Sequence, residues 1–117
     1  MLRNILTVLM ILFTFSFTSA QQRGKASWYG NSTHHGKKAA DGSVFNQYAM
    51  TCASNTHRLG TILRITNVEN NKSITAKVTD RGGFSKMGRL LDLSKGAFQA
   101  IASLKQGIIT VLVEEVN

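Results

Sequence analysis

The sequence contains no proline and only one cysteine, Cys52. A single cysteine excludes an internal disulfide, the usual staple of a small exported domain. A fold without that staple has to close by hydrogen bonding and packing, as a barrel does. Without proline, every turn must rest on Gly, Asn, Asp or Ser. Carboxylates are scarce as well: six acids stand against 14 Lys and Arg, for a formal net charge of +8. On a small domain that balance commonly accompanies nucleic acid, but the N-terminal sequence argues against such a partner.

Residues 1–20 carry one charge, Arg3, then an apolar stretch over 5–17, then small residues at Thr18 and Ala20. That is the pattern of a secretory signal peptide cleaved after Ala20. The alternative is a membrane anchor, for which the apolar stretch is short of the roughly 20 residues a span needs. The expected organisation is a signal peptide over 1–20 and one small domain over 21–117, periplasmic or extracellular, with no stable membrane span after cleavage. All but one of the basic residues lie in that domain. A basic exported protein meets anionic wall polymers or membrane surfaces through long-range steering, which salt weakens.

The pattern along the domain is mainly β. Residues 24–29 ("GKASWY") read as a first strand, and a long polar loop follows, rich in turn residues. A short strand is expected near Ala49 and Met50. Residues 61–68 form a strand, "ENNK" at 69–72 a hairpin turn, and 73–79 a strand alternating Ile74, Ala76 and Val78 against polar residues. Residues 89–93 are a short apolar run. Ser94 suits an N-cap for a helix from Lys95 to about Lys105, ended by Gly107. The last strand, 108–116, is nearly continuous in apolar residues and is expected to be buried on both faces. Several short strands and one short helix indicate a small β-barrel.

Asp80 follows Val78 by two, so strand continuation turns its side chain toward the buried row, where barrel interior meets solvent. Arg81, as a strand neighbour, points elsewhere. Gly82 and Gly83 leave backbone open beside the acid, where a polymer can approach. Asp80 is either a catalytic acid or a turn aspartate bonded to its own backbone. For Asp92, two residues before Ser94, the expectation is a structural acid serving the helix N-terminus. Trp28 and Tyr29 either stack on sugar rings or join the core, one of the two being buried. His34 and His35 lack further ligands at useful spacing, so no metal is expected. Cys52 reads as a small buried apolar residue rather than a nucleophile.

The segments "GKASWYG", "HGKKAADGSVFNQYAMT", "LGTILRITN", "VTDRGGF" and "GRLLDLSKGAF" follow one another at short spacings. Together they resemble the rare lipoprotein A (RlpA) family, over residues 24 to about 116. The resemblance implies a six-stranded double-psi β-barrel with one short helix, related in shape to expansins and barwin-like proteins. It implies an endolytic peptidoglycan lytic transglycosylase acting on glycan strands, preferring those stripped of stem peptides, with no cofactor. The acid of the family's "DRG" motif falls on Asp80, and Trp28, Tyr29, His35, Arg81 and Gly82 become candidate substrate-binding residues. A monomer is expected, with glycan strands as partner and no nucleic acid. The chain departs from the family pattern at four places: Ser43 stands for a glutamate, Ser54 for a histidine, Gly83 for a proline, and Arg58-Leu59-Gly60-Thr61 for a "PFGT" stretch. Those departures keep a second reading open, a catalytically inactive, expansin-like wall-binding module.

Overall fold

The computed structural model describes residues 20–30 and 36–116. The signal-peptide reading of residues 1–19 and the candidate His35 lie outside them. Six strands close into a barrel: β1 (Gln22–Tyr29), β2 (Thr51–Ser54), β3 (Ile62–Asn67), β4 (Ser73–Asp80), β5 (Arg89–Ser94) and β6 (Ile108–Glu115). Around the ring they run β1-β5-β2-β4-β3-β6. Two neighbouring pairs are parallel, β1 with β5 and β2 with β4, and the other four are antiparallel. Closure leaves no sheet edge, which suits a chain with no disulfide.

Period-two alternation fills the interior. Leu63 and Ile65 of β3, Ala76 and Val78 of β4, Leu91 and Leu93 of β5, and Val111 and Val113 of β6 are all buried in one cluster. Each fully buried Leu, Ile or Val contributes about 1.5–3 kcal/mol relative to exposure. Cys52 belongs to the same cluster, and burial pushes its thiol up to about 12. The final strand is not buried on both faces: Ile109, Val111 and Val113 are inside, whereas Ile108 is exposed and the residues between are at most half-buried. Its outer face is the barrel exterior, so only one side meets the core.

The long polar loop holds no strand near Ala49 and Met50; pairing begins at Thr51 and runs to Ser54. Asn71 turns the β3–β4 hairpin at φ 61°, a left-handed conformation that asparagine tolerates. The helix α1 (Lys95–Ile101) is capped by Ser94, whose hydroxyl accepts from the Ala97 N–H at 3.1 Å. It stops four residues earlier than its periodicity indicated. The side-chain amides of Asn67 and Asn70 donate to the Ile101 carbonyl at 2.8 and 2.9 Å, and Ser103 starts a separate 3-10 turn, Leu104–Gln106. Phe98 and Ile101 point into the barrel and Trp28 packs beside them, its ring centroid 6.5 Å from that of Phe98.

Candidate active site

Two register shifts decide what faces the cleft beside Asp80. Between β2 and β4 the partners step from Cys52↔Val78 to Ala53↔Asp80, so Thr79 is an extra residue. A bulge of that kind reverses the alternation beyond it. Asp80 therefore leaves the inward row of Ala76 and Val78 that simple strand continuation assigned to it. Between β1 and β5 the partners step from Lys25↔Arg89 to Ala26↔Leu91, making Leu90 the extra residue. Arg89 and Asp92, which a regular strand would point to opposite faces, both line the cleft.

Across the sheet the register sets Ser27, Asp92, Ala53 and Asp80 in one row, on β1, β5, β2 and β4. At about 4.8 Å between strands, the backbones of the two aspartates stand about 10 Å apart with Ala53 between them. The small alanine leaves a hollow over the row. The cleft has a volume of about 370 Å³ and is walled by Tyr29, Phe84, Met87 and the glycines of the 81–83 turn.

Asp80 is half-buried at the end of β4. Its Oδ1 accepts from the backbone N–H of Ala40 at 3.0 Å and of Arg81 at 2.9 Å. Oδ2 has no hydrogen bond among the described residues. One oxygen thus fixes the carboxyl while the other stays available to a ligand. The Ala40 contact ties the polar loop onto the acid, and a second bond, from Asp41 N–H to the Thr79 carbonyl at 3.1 Å, holds it there.

Arg81 does point away from Asp80. Its Nη1 donates to the carbonyls of Ser54 and, at 2.6 Å, His57, clamping the β2–β3 connection. Gly82 is not open backbone: Asn55 donates to its carbonyl at 2.7 Å and accepts from its N–H at 3.2 Å. A Cβ there would also sit 3.0 Å from the Phe84 ring. Gly83 does face open space. The turn that lacks the proline is therefore fastened from outside by Asn55 and Arg81.

Asp92 does not serve the helix, whose N-terminus Ser94 caps. It accepts from the Ser27 hydroxyl at 2.5 Å, and Ser27 in turn accepts from Arg89 Nη1 at 2.8 Å. Tyr29 lines the cleft and stacks on Phe45 at 4.9 Å between centroids. Burial first, then the charge of Asp80, holds its phenol protonated well above the ordinary range. Trp28 does not line the cleft; its indole N–H donates to the Leu104 carbonyl at 3.2 Å. Sequence reasoning missed Arg89, Met87 and Phe84 because the bulge and the 3-10 turn Phe84–Met87 that place them have no period to detect.

Neither serine substitution offers an acid or base to the cleft. Ser43 bonds the Asp41 carboxylate at 2.5 Å, which draws the Asp41 pKa below its usual range. Ser54 is fully buried. Its Oγ accepts from the N–H groups of Thr56 and His57 at 3.2 and 3.1 Å, which leaves its proton for His57 Nδ1 at 2.9 Å. His57 faces a different hollow, beside Gln22, Thr56 and Glu115.

Comparison with known proteins agrees with this geometry. Residues 21–113 match the family model described as lytic transglycolase. The chain is 44% identical over 94 residues to the endolytic peptidoglycan transglycosylase RlpA of Campylobacter jejuni, covering 80% of this chain and 34% of that protein. It is 43% identical over 101 residues to the RlpA of Rickettsia bellii, covering 85% and 43%. The chain thus spans less than half the length of these curated relatives. In fold it resembles an expansin of Clavibacter michiganensis in complex with cellohexaose, with a TM-score of 0.68 and 21% identity over 84% of this chain and 51% of that one. It also resembles the Streptomyces papain inhibitor, with a TM-score of 0.67 and 21% identity over 84% and 96%. A double-psi β-barrel carrying the ordered motifs around Asp80, this chain belongs to the RlpA-like lytic transglycosylase family.

Proposed function

We propose that the domain is exported by residues 1–20 and cleaves peptidoglycan glycan strands as an endolytic lytic transglycosylase, with Asp80 as its catalytic residue. The observation that carries this reading is the Asp80 carboxyl, held through Oδ1 by two backbone N–H groups and open at Oδ2 toward a cleft. In its protonated form Asp80 donates from Oδ2 to the oxygen joining N-acetylmuramic acid C1 to N-acetylglucosamine O4. The C1–O4 bond breaks and positive charge develops at C1. The C6 hydroxyl of the same muramic acid attacks C1, and its proton returns to Asp80. The products are a strand ending in a 1,6-anhydro sugar and a strand with a free 4-hydroxyl, and no water is consumed. One carboxyl serves because no water has to be activated on the opposite face, as ordinary hydrolysis requires.

Tyr29 and Met87 offer apolar surface to sugar rings, and the net positive charge draws the domain to an anionic wall. The test incubates the purified domain with peptidoglycan lacking stem peptides and follows products by mass spectrometry. Anhydro-muramyl fragments are expected from the unaltered protein, falling at least 100-fold in Asp80→Asn, the scale of a lost general acid. Equal product from both proteins would end the proposal.

A second reading, a wall-binding module without catalysis, is favoured by the burial of Ser54 and the tethering of Ser43. It predicts sedimentation with peptidoglycan that weakens as salt rises, with no anhydro product.

A further inference from the structure

Arg89 is the cleft group whose bonding is least complete. A guanidinium offers five N–H donors in a planar fork. Nη1 is used on Ser27 at 2.8 Å. Nη2 reaches only the Met87 thioether, a weak acceptor, at 3.6 Å. Nε is buried without an acceptor among the described residues. Leaving a buried donor unpaired is costly, and such an atom calls for an explanation. The two under-used positions, Nε and Nη2, form one edge of the fork, the edge that takes a carboxylate through two parallel hydrogen bonds. Ser27, whose hydroxyl donates to Asp92, holds Nη1 on the opposite side and orients the group.

Met87 is the removable part. It is 74% exposed, and its side chain turns about three bonds. Moving it aside exchanges a thioether contact for a charge-assisted pair. We infer that Arg89 is a specificity-determining residue of the cleft: its Nε–Nη2 edge binds a carboxylate carried on the sugar backbone, with Met87 covering that edge in the unliganded protein. The inference rests on the reading that the ligand is peptidoglycan glycan. There the carboxylate is the lactyl group of muramic acid when it is not blocked as an amide. Arg89 shares the cleft with Asp80, so it would set which sugar meets the acid.

The test measures binding rather than turnover, in the Asp80→Asn background so that ligands persist. Three tetrasaccharides are titrated by calorimetry: alternating N-acetylglucosamine and N-acetylmuramic acid with free carboxyls, the same compound with its carboxyls amidated, and chitotetraose. With Arg89 intact, the free acid is expected to bind about tenfold tighter than the amide, the scale of one charge-assisted pair. Arg89→Gln should bring that ratio below twofold, with chitotetraose as the carboxylate-free reference, while the circular dichroism and Tm of the variant report that it is folded. Met87→Ala should keep or raise the ratio. A ratio that persists in Arg89→Gln, or no preference with Arg89 intact, overturns the inference. A free stem peptide, whose carboxylate is not on a sugar, should not compete at the concentration where the free acid saturates; competition there also counts against it. If none of the three sugars binds, the glycan reading itself fails; if all bind equally, only the role of Arg89 does.

Discussion

Asn55→Ala tests whether the glycine turn is held by a side chain in place of a proline. The substitution deletes both hydrogen bonds to Gly82, from Asn55 Nδ2 to the Gly82 carbonyl at 2.7 Å and from the Gly82 N–H to Asn55 Oδ1 at 3.2 Å. Both are exposed, so the pair contributes toward the low end of about 0.5–1.5 kcal/mol per bond, or about 1–2 kcal/mol together. That difference multiplies local opening by roughly 5 to 30. The direct assay is amide hydrogen exchange followed by NMR. Protection of the Gly82 N–H should drop by that factor, because its acceptor is gone. The Val78 N–H, bonded to the Thr61 carbonyl at 2.9 Å on the barrel wall, should keep its protection. The turn also carries the Arg81 N–H that orients Asp80, so anhydro-product formation should slow as well. Unchanged exchange at Gly82 would refute the fastening. Equal acceleration at Val78 would show a global loss of stability instead.

Gly96→Ala should destabilise, although Ala is the better helix former by about 1 kcal/mol. A Cβ there would lie 2.4 Å from the Tyr48 carbonyl oxygen, a backbone atom that cannot turn aside, so a net cost of about 1–3 kcal/mol and a lower Tm are expected. The Cys52 thiol, ordinarily near 9.0 and raised to about 12 by burial, ionises first in the unfolded chain. Its stabilisation is complete below pH 9 and lost as pH rises toward 12. Denaturant unfolding at pH 8 and pH 11 should therefore show a smaller alkaline loss in Cys52→Ala, by on the order of 2 kcal/mol; an equal loss would exclude the thiol. Trp28→Phe should cost about 0.5–1.5 kcal/mol by removing the indole bond to the Leu104 carbonyl, which keeps its bond from the Gly107 N–H at 3.2 Å, yet leave chitotetraose affinity unchanged; weaker sugar binding at equal foldedness would return Trp28 to the ligand surface.

Much of the barrel was legible in the chain because its signals are local. Ile74, Ala76 and Val78 alternate, Ser94 sits where a cap belongs, and Asn71 takes the φ that the hairpin needs. The motif around Asp80 was legible too, as an ordered string of residues. Other elements were misread for equally physical reasons. The last strand has apolar residues on an outer face that is at most half-buried, and the helix ends where Asn67 and Asn70, more than 30 residues away, take its carbonyl.

By itself, then, the sequence determined closure without a disulfide, the alternating rows that fill a barrel, the helix cap and the motif that contains Asp80. Only the tertiary structure decided which way that acid faces and what stands beside it. A bulge at Thr79 turns Asp80 out of the core row, and another at Leu90 brings Arg89 and Asp92 to the same cleft. The pairing of β2 between β4 and β5 then sets the two aspartates on either side of Ala53. Register is a property of strand pairs, so residues far apart in the chain become neighbours only when the ring has closed.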